Sequence, residues 1–266
     1  MEYWPLELAK IKPSTQKLKG HITVITGGLG AIGYATAQKF LKEGSEVIIL
    51  DIVDPKKVTL DLTGMTYFQC DITNENKVKA VFDQISQKFG GVDILISNAG
   101  FAIQSSLDEL TKKQLDSSFD LNFFAHHYFV KHGTKIMKIQ NMKGSVVFNI
   151  SKQAVNPGPN FGAYGLPKAT LMFLMKQYVV ESSKYGIRFN GINADRIRSG
   201  LLNPDMIAKR AKSRGLTIEQ YMAGNLLKEE VKASDVADAF YHLSISYRTT
   251  ASVITVDGGN IESSLR

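Results

Sequence analysis

Tyr164 and Lys168 stand four residues apart in the stretch YGLPK. On a helix that spacing puts both side chains on one face. An ammonium beside a phenol favours the phenolate and lowers the tyrosine pKa toward neutrality. A tyrosine tuned in this way takes a proton from an alcohol or returns it to a carbonyl. The pair alone is weak evidence, because a chain with ten tyrosines and many lysines gives such a match by chance. Its surroundings carry more. Ser151 closes the run VVFNIS, and a hydroxyl at the carboxyl end of a strand points into the ligand crevice of a parallel sheet. SNAG, residues 97–100, ends another such run at the same crevice. Asn122 interrupts the largely apolar FDLNFFAHHYF, and a buried amide needs hydrogen-bond partners.

A second constellation lies near the N-terminus. TGGLGAIG, Thr26 to Gly33, reads in two registers. One is G-x-G-x-x-G through Gly28, Gly30 and Gly33. The other is T-G-x-x-x-G-x-G from Thr26 and Gly27, with Ala31 where a glycine is expected. Either register, set between a strand and a helix, lets the backbone approach a pyrophosphate at a helix N-terminus. Asp51 ends the next strand-like run, EVIILD. A carboxylate there either accepts from the adenosine ribose hydroxyls, repelling a 2′-phosphate, or caps a turn. No Arg or Lys stands in the loop or just after Asp51, which favours NAD over NADP.

The elements that must position these residues follow from the apolar pattern. ITVIT, EVIILD, TYFQCD, VDILISN, GSVVFNIS, GIRFNGIN and ASVITVDGG read as seven strands. Helical stretches separate most of them, notably 74–89, about 107–140, about 163–185 and 234–245. Such alternation predicts a single doubly wound α/β Rossmann domain: a mainly parallel seven-stranded sheet with helices on both faces. Residues 52–66 contain no convincing crossover helix. Residues 1–19 read as an arm or linker that docks on the domain formed by 20–266.

The net charge of +7 comes from scattered lysines, as in KLKG, DPKK and TKKQ, with no run of like charge suited to nucleic acid. One cysteine excludes an intrachain disulfide. The N-terminal residues lack the apolar region of a secretory signal, and no stretch approaches the roughly 18 apolar residues of a membrane span. A cytoplasmic protein with neither nucleic-acid nor membrane partners is expected. Cys70 reads as a small buried hydrophobe. LMFLMKQYVV reads as a buried helix face that also serves as a subunit contact. His126, His127 and His132 lack metal-ligand spacing and are expected on a helix surface or a subunit interface, so no metal is expected.

Together these motifs resemble the short-chain dehydrogenase/reductase family over essentially all of residues 20–260. The resemblance selects the register T-G-x-x-x-G-x-G, with Ala31 in place of the middle glycine. It implies an NAD-dependent enzyme acting on a small alcohol or carbonyl substrate. Tyr164 is then the acid/base, Lys168 lowers its pKa and holds the nicotinamide ribose, and Ser151 holds the substrate oxygen. Asn122 anchors a water that leads from Lys168 to solvent. Gly27, Leu29, Gly30, Ala31, Ile32 and Gly33 surround the pyrophosphate. Asp51 and Ile52 lie at the adenosine ribose, and Asp71 and Ile72 at the adenine. Asn98, Ala99 and Gly100 lie over the adenosine ribose, and Ile197 and Ser199 at the carboxamide. The resemblance further implies a homodimer or homotetramer and a variable substrate lid at about 199–227.

The chain departs from the family at Ala194-Asp195, where Pro-Gly is usual, and at Pro167 inside the helix of the Tyr/Lys pair. A narrower resemblance, through YWPLE, SKQAVNPGPNFGAYG and NAD at 193–195, is to the dehydrogenase portion of bifunctional sugar-phosphate aldolase/short-chain dehydrogenases. It implies a sugar alcohol, sugar phosphate or hydroxy-aldehyde as substrate. Lys152, Arg196 and Arg198 fall at the carboxyl ends of adjacent strands, and Lys209, Arg210, Lys212 and Arg214 fall in the lid. Lys152 and Arg198 are the expected contacts to an anionic substrate. Alternatively Lys152 turns outward, and the arginines pair with Asp195, Asp205 or the cofactor phosphates. The alternative to an enzyme is a non-catalytic NAD-binding sensor.

Overall fold

The computed structural model describes residues 16–260. The expected arm therefore lies outside the described residues apart from its end, where buried Leu18 donates its backbone N–H to the Glu43 carbonyl.

Seven strands form one sheet: β1 (Ile22–Thr26), β2 (Glu46–Asp51), β3 (Met65–Gln69), β4 (Ile94–Ser97), β5 (Gly144–Asn149), β6 (Ile187–Ala194) and β7 (Val253–Val256). Their order is β3-β2-β1-β4-β5-β6-β7. Every pairing is parallel. The chain winds outward from β1 through β3 and then returns to the other side of β1 at β4. That reversal opens a crevice at the carboxyl ends of β1 and β4, where ligands of such sheets bind.

The helices are α1 (Ala31–Lys42), α2 (Glu75–Phe89), α3 (Lys112–Phe119), α4 (Ala125–Gln140), α5 (Gly162–Ser182), α6 (Pro204–Ser213), α7 (Ile218–Met222) and α8 (Ala233–Ile245). They cover both faces of the sheet because the strands are apolar on both. Ile25, Ile49, Ile96 and Val147 pack against Phe40 of α1 and Phe240 of α8. Val24, Ile48, Leu95 and Val146 pack against Phe82 of α2, Phe129 of α4 and Met175 of α5.

One stretch differs from the sequence expectation, and two others are filled in by the structure. The single helix expected over 107–140 begins only at Lys112. There Thr111 and Gln114 form a capping box, each side chain satisfying the other's backbone N–H. A π-helical turn, Asp120–Phe124, then separates α3 from α4. Residues 52–66 hold only a 3₁₀ turn, Pro55–Lys57, capped by the Asp54 carboxylate. The region 199–227, unreadable from sequence, is built by α6 and α7. They close on a small core of their own, with Leu202, Ile207, Ala211, Tyr221 and Met222 buried together.

Candidate active site

A cavity of about 670 Å³ runs along the carboxyl ends of the strands, from Asp51 at one end to α6 at the other. All but three of the site residues expected from sequence line it; the exceptions are Gly33, Asn122 and Arg198.

At the Asp51 end, the glycine loop is built by close approaches. Gly27 has φ 65°, and a Cβ there would lie 2.9 Å from the Ala99 Cα. A Cβ on Gly28 would lie 2.4 Å from Ile49 Cγ2. One on Gly33 would lie 2.1 Å from the Gly27 carbonyl oxygen, so Gly33 shapes the loop from beneath. Gly30 is under no such constraint, its nearest neighbour being that same oxygen at 3.4 Å. Ala31 opens α1 with an exposed methyl group. No side chain caps α1, and its first turn carries no acid. Its N-terminal N–H groups are therefore available to an anion, and this end of the cavity fits a dinucleotide pyrophosphate.

Asp51 lines the cavity and also braces the loop. Its Oδ2 accepts from the Leu29 N–H at 3.0 Å and its Oδ1 from the Val53 N–H at 3.1 Å. Asp71 accepts from the Thr73 N–H and hydroxyl at 3.1 and 2.6 Å. The Asn98 amide is spent on the framework. It donates to the Thr26 and Gly27 carbonyls and accepts from Asn149 Nδ2 at 2.9 Å, tying together the ends of β1, β4 and β5.

In mid-cavity stand Ser151, Tyr164 and Lys168. Tyr164 and Lys168 sit on α5 one turn apart, and the helix runs on through Pro167. Pro167 has no N–H for the Ala163 carbonyl, yet the helix carries both side chains inward. The Ser151 hydroxyl is hydrogen-bonded to Tyr164 and also accepts from the Gln153 N–H at 3.2 Å. Lys168 is 1% exposed and donates to the Asn149 carbonyl at 2.8 Å.

The expected lowering of the tyrosine pKa by the lysine does not occur in this arrangement. Burial pushes the Tyr164 phenol up to about 12, against a smaller downward pull from Ser151. Burial pulls the Lys168 ammonium down to about 7. The reason is direction: Lys168 Nζ is turned to the Asn149 carbonyl and lies 5.8 Å from the Tyr164 ring centre.

Asn122 lies beneath the cavity wall. It is fully buried in the π-helical turn, donates to the Phe101 carbonyl at 2.9 Å and Ser118 Oγ at 3.1 Å, and accepts from the Phe101 N–H at 3.3 Å. Gly100 lets it approach Lys168: a Cβ there would lie 2.9 Å from Asn122 Oδ1 and 3.6 Å from Lys168 Nζ. His126 corrects the sequence reading. It faces inward, with no exposed surface, and its Nε2 lies 3.4 Å from Lys168 Nζ. A helix of the right period does not reveal which of two adjacent histidines, His126 or His127, points to the core.

At the lid end the cations divide. Lys152 Nζ lies 3.7 Å and Arg196 Nε 3.6 Å from Asp195 Oδ2, which also accepts from Asn260. Arg196 further donates to the Tyr221 and Gly224 carbonyls, anchoring α7. Arg198 is turned to Glu230 in a two-pronged pair at 2.6 and 3.1 Å, away from the cavity wall. Arg210, which sequence did not separate from its neighbours, lines the cavity and stacks 4.6 Å above the Phe161 ring. It pairs with no carboxylate among the described residues.

A family model described as enoyl-(acyl carrier protein) reductase matches residues 28–260. An uncharacterized oxidoreductase of Bacillus subtilis, YuxG, is 32% identical over 97% of this chain, which spans only 40% of that relative's length. Short chain aldehyde dehydrogenase 1 of Euphorbia lathyris is 30% identical, over 93% of this chain and 90% of its own. Among solved structures, ligand-free aldohexose dehydrogenase of Thermoplasma acidophilum is similar with a TM-score of 0.80 and 25% identity, over 92% of this chain and 96% of that one.

Proposed function

The chain belongs to the short-chain dehydrogenase/reductase family, and from that premise we propose that it is an NAD-dependent oxidoreductase of a small, hydroxylated, anionic substrate. The observation that carries the reading is one cavity holding Asp51 and an uncapped helix N-terminus at one end, Ser151, Tyr164 and Lys168 in its middle, and at the other end Arg210, which pairs with no carboxylate among the described residues.

In this reading Gly27, Gly30 and the α1 N-terminus hold the pyrophosphate, and Asp51 holds the adenosine ribose. A bound nicotinamide would supply the hydride acceptor or donor. Ser151 Oγ holds the substrate oxygen, and Tyr164 Oη takes the alcohol proton on oxidation or returns it on reduction. Lys168 Nζ, held by the Asn149 carbonyl and His126, would donate its remaining N–H to the nicotinamide ribose and through that ribose stabilise the phenolate. Its ammonium would help ionise Tyr164 only with that ribose in place.

Ser151, Lys152 and Arg210 form the proposed substrate end. The segments resembling the dehydrogenase portion of sugar-phosphate aldolase/short-chain dehydrogenases support a sugar phosphate, sugar alcohol or hydroxy-aldehyde. Arg210, at the cavity and paired with no carboxylate among the described residues, supports an anionic member of that group, a sugar phosphate or hydroxy acid. Exposed Phe173 and Val180 on α5 support a homo-oligomer. NADH formation, followed by ultraviolet absorbance against sugar phosphates, hydroxy acids, polyols and hydroxy-aldehydes, tests the reading. Tight NADH binding without turnover of any of them would favour a sensor instead.

Two variants test the ends of the cavity. Asp51→Ala is expected to improve NADP relative to NAD by roughly 1–3 kcal/mol in kcat/KM, the scale of one charged hydrogen bond. A wild-type enzyme that uses both cofactors equally would remove Asp51 from that role. Arg210→Ala is expected to raise KM for an anionic substrate about tenfold with kcat within about twofold, because a recognition contact binds ground and transition states alike. KM of the wild type should also rise with salt. An unchanged KM in both experiments would return Arg210 to a packing role on Phe161.

A further inference from the structure

His126 is the buried titratable group that the reaction above leaves unused. It sits at the start of α4, one turn beyond Asn122, and has no exposed surface. Its Nδ1 lies 2.6 Å from Ser97 Oγ at the end of β4. Its Nε2 lies 3.4 Å from Lys168 Nζ. Burial first, and the Lys168 charge second, hold the imidazole well below its ordinary pKa, so the ring is neutral. A neutral imidazole has one donor and one acceptor nitrogen, and an ammonium only donates. With Lys168 in its ammonium form, Nε2 facing it is the acceptor, and Nδ1 carries the proton toward Ser97.

An ammonium has three N–H bonds to place. The Asn149 carbonyl takes one at 2.8 Å and His126 Nε2 faces a second. We propose that His126 is a positioning residue: with Nε2 as acceptor, it anchors Lys168 Nζ so that the remaining N–H is aimed at the nicotinamide ribose. The aim rests on the cofactor reading above; the His126–Lys168 contact does not. His126 touches neither cofactor nor substrate in this assignment and acts through Lys168 alone. Packing does not require a histidine here, since any side chain of similar size fills the volume. The acceptor does, because Lys168 is 1% exposed and a buried ammonium that loses a hydrogen-bond partner is costly.

His126→Phe keeps the volume and removes both nitrogens. His126→Gln keeps an acceptor for Lys168 and a donor for Ser97. The NADH dissociation constant, read by fluorescence, is expected to rise about tenfold in His126→Phe and to stay within about threefold of wild type in His126→Gln, the loss of one charge-assisted hydrogen bond. A separate measurement uses no cofactor. In urea unfolding of the cofactor-free protein, His126→Phe is expected to lower the midpoint, and to lower it much less in a Lys168→Met background. Wild-type NADH affinity in His126→Phe would overturn the aim at the ribose. Equal damage in the Phe and Gln variants, or unfolding effects that simply add with Lys168→Met, would reduce His126 to packing. If the wild type bound no NADH, the cofactor reading would fail, and the unfolding cycle would still decide whether His126 anchors Lys168.

Discussion

Tyr164→Phe is expected to lower kcat by about 100-fold or more, the usual scale for loss of a general acid/base. The ring is retained in its buried site, so packing changes little. Only the oxygen that exchanges a proton with the substrate is lost. Ser151 keeps its hydrogen bond from the Gln153 N–H, so its hydroxyl is not left without a partner. NADH should bind within about twofold of wild type, because the pyrophosphate and ribose ends are untouched. Steady-state kinetics with a substrate identified by the NADH-formation assay, together with NADH titration, gives both values. Turnover near the wild-type rate would eliminate Tyr164 as the proton carrier.

Lys168→Met is expected to damage two functions and improve a third property. Turnover falls by at least the same factor, because Tyr164 is then left with a pKa near 12 and no neighbouring cation to lower it further. NADH binding weakens, because the ribose loses its donor. The cofactor-free protein becomes more stable near neutral pH, since a buried ammonium is removed. The sign follows from the lysine itself, whose pKa falls from 10.5 to about 7 on folding. Below pH 7 both states hold the proton, and the folded state bears the full cost of burying the charge. Between about 7 and 10.5 the unfolded chain keeps the proton that the folded one has lost, so stability rises with pH. The gain in Tm from Lys168→Met should thus be largest at or below pH 7, several degrees for a domain of this size, and vanish toward pH 10.5. A variant less stable than wild type at pH 7 would show that the methylenes of Lys168, not its charge, dominate its burial.

Much of this site was legible because its determinants are local. A strand, a glycine-rich turn and a helix N-terminus are consecutive in sequence, so TGGLGAIG declares itself by spacing. Both readings of the loop hold glycines, but geometry divides their duties: Gly27, Gly28 and Gly33 are forced by contacts of less than 3 Å, whereas Gly30 is not. Ala31, the apparent fault, presents its methyl group to open space. Tyr164 and Lys168 were found from a four-residue spacing, which any helix enforces, even one containing Pro167.

The sequence by itself determined the parallel α/β architecture, the crevice and many of the residues that line it, because periodicity and strand ends depend on neighbours along the chain. It could not decide where long side chains end. Arg198 and Arg210 are equally basic in sequence; one is claimed by Glu230, 32 residues later, and the other is left at the cavity. His126 and His127 are adjacent, and only the packing of α4 on β4 and α5 turns the first toward Lys168. Nor could spacing show that burial, rather than the neighbouring charge, governs Tyr164 in the cofactor-free protein. Those outcomes depend on partners far apart in sequence and on exclusion of water, and both arise only when the sheet and its helices close around the site.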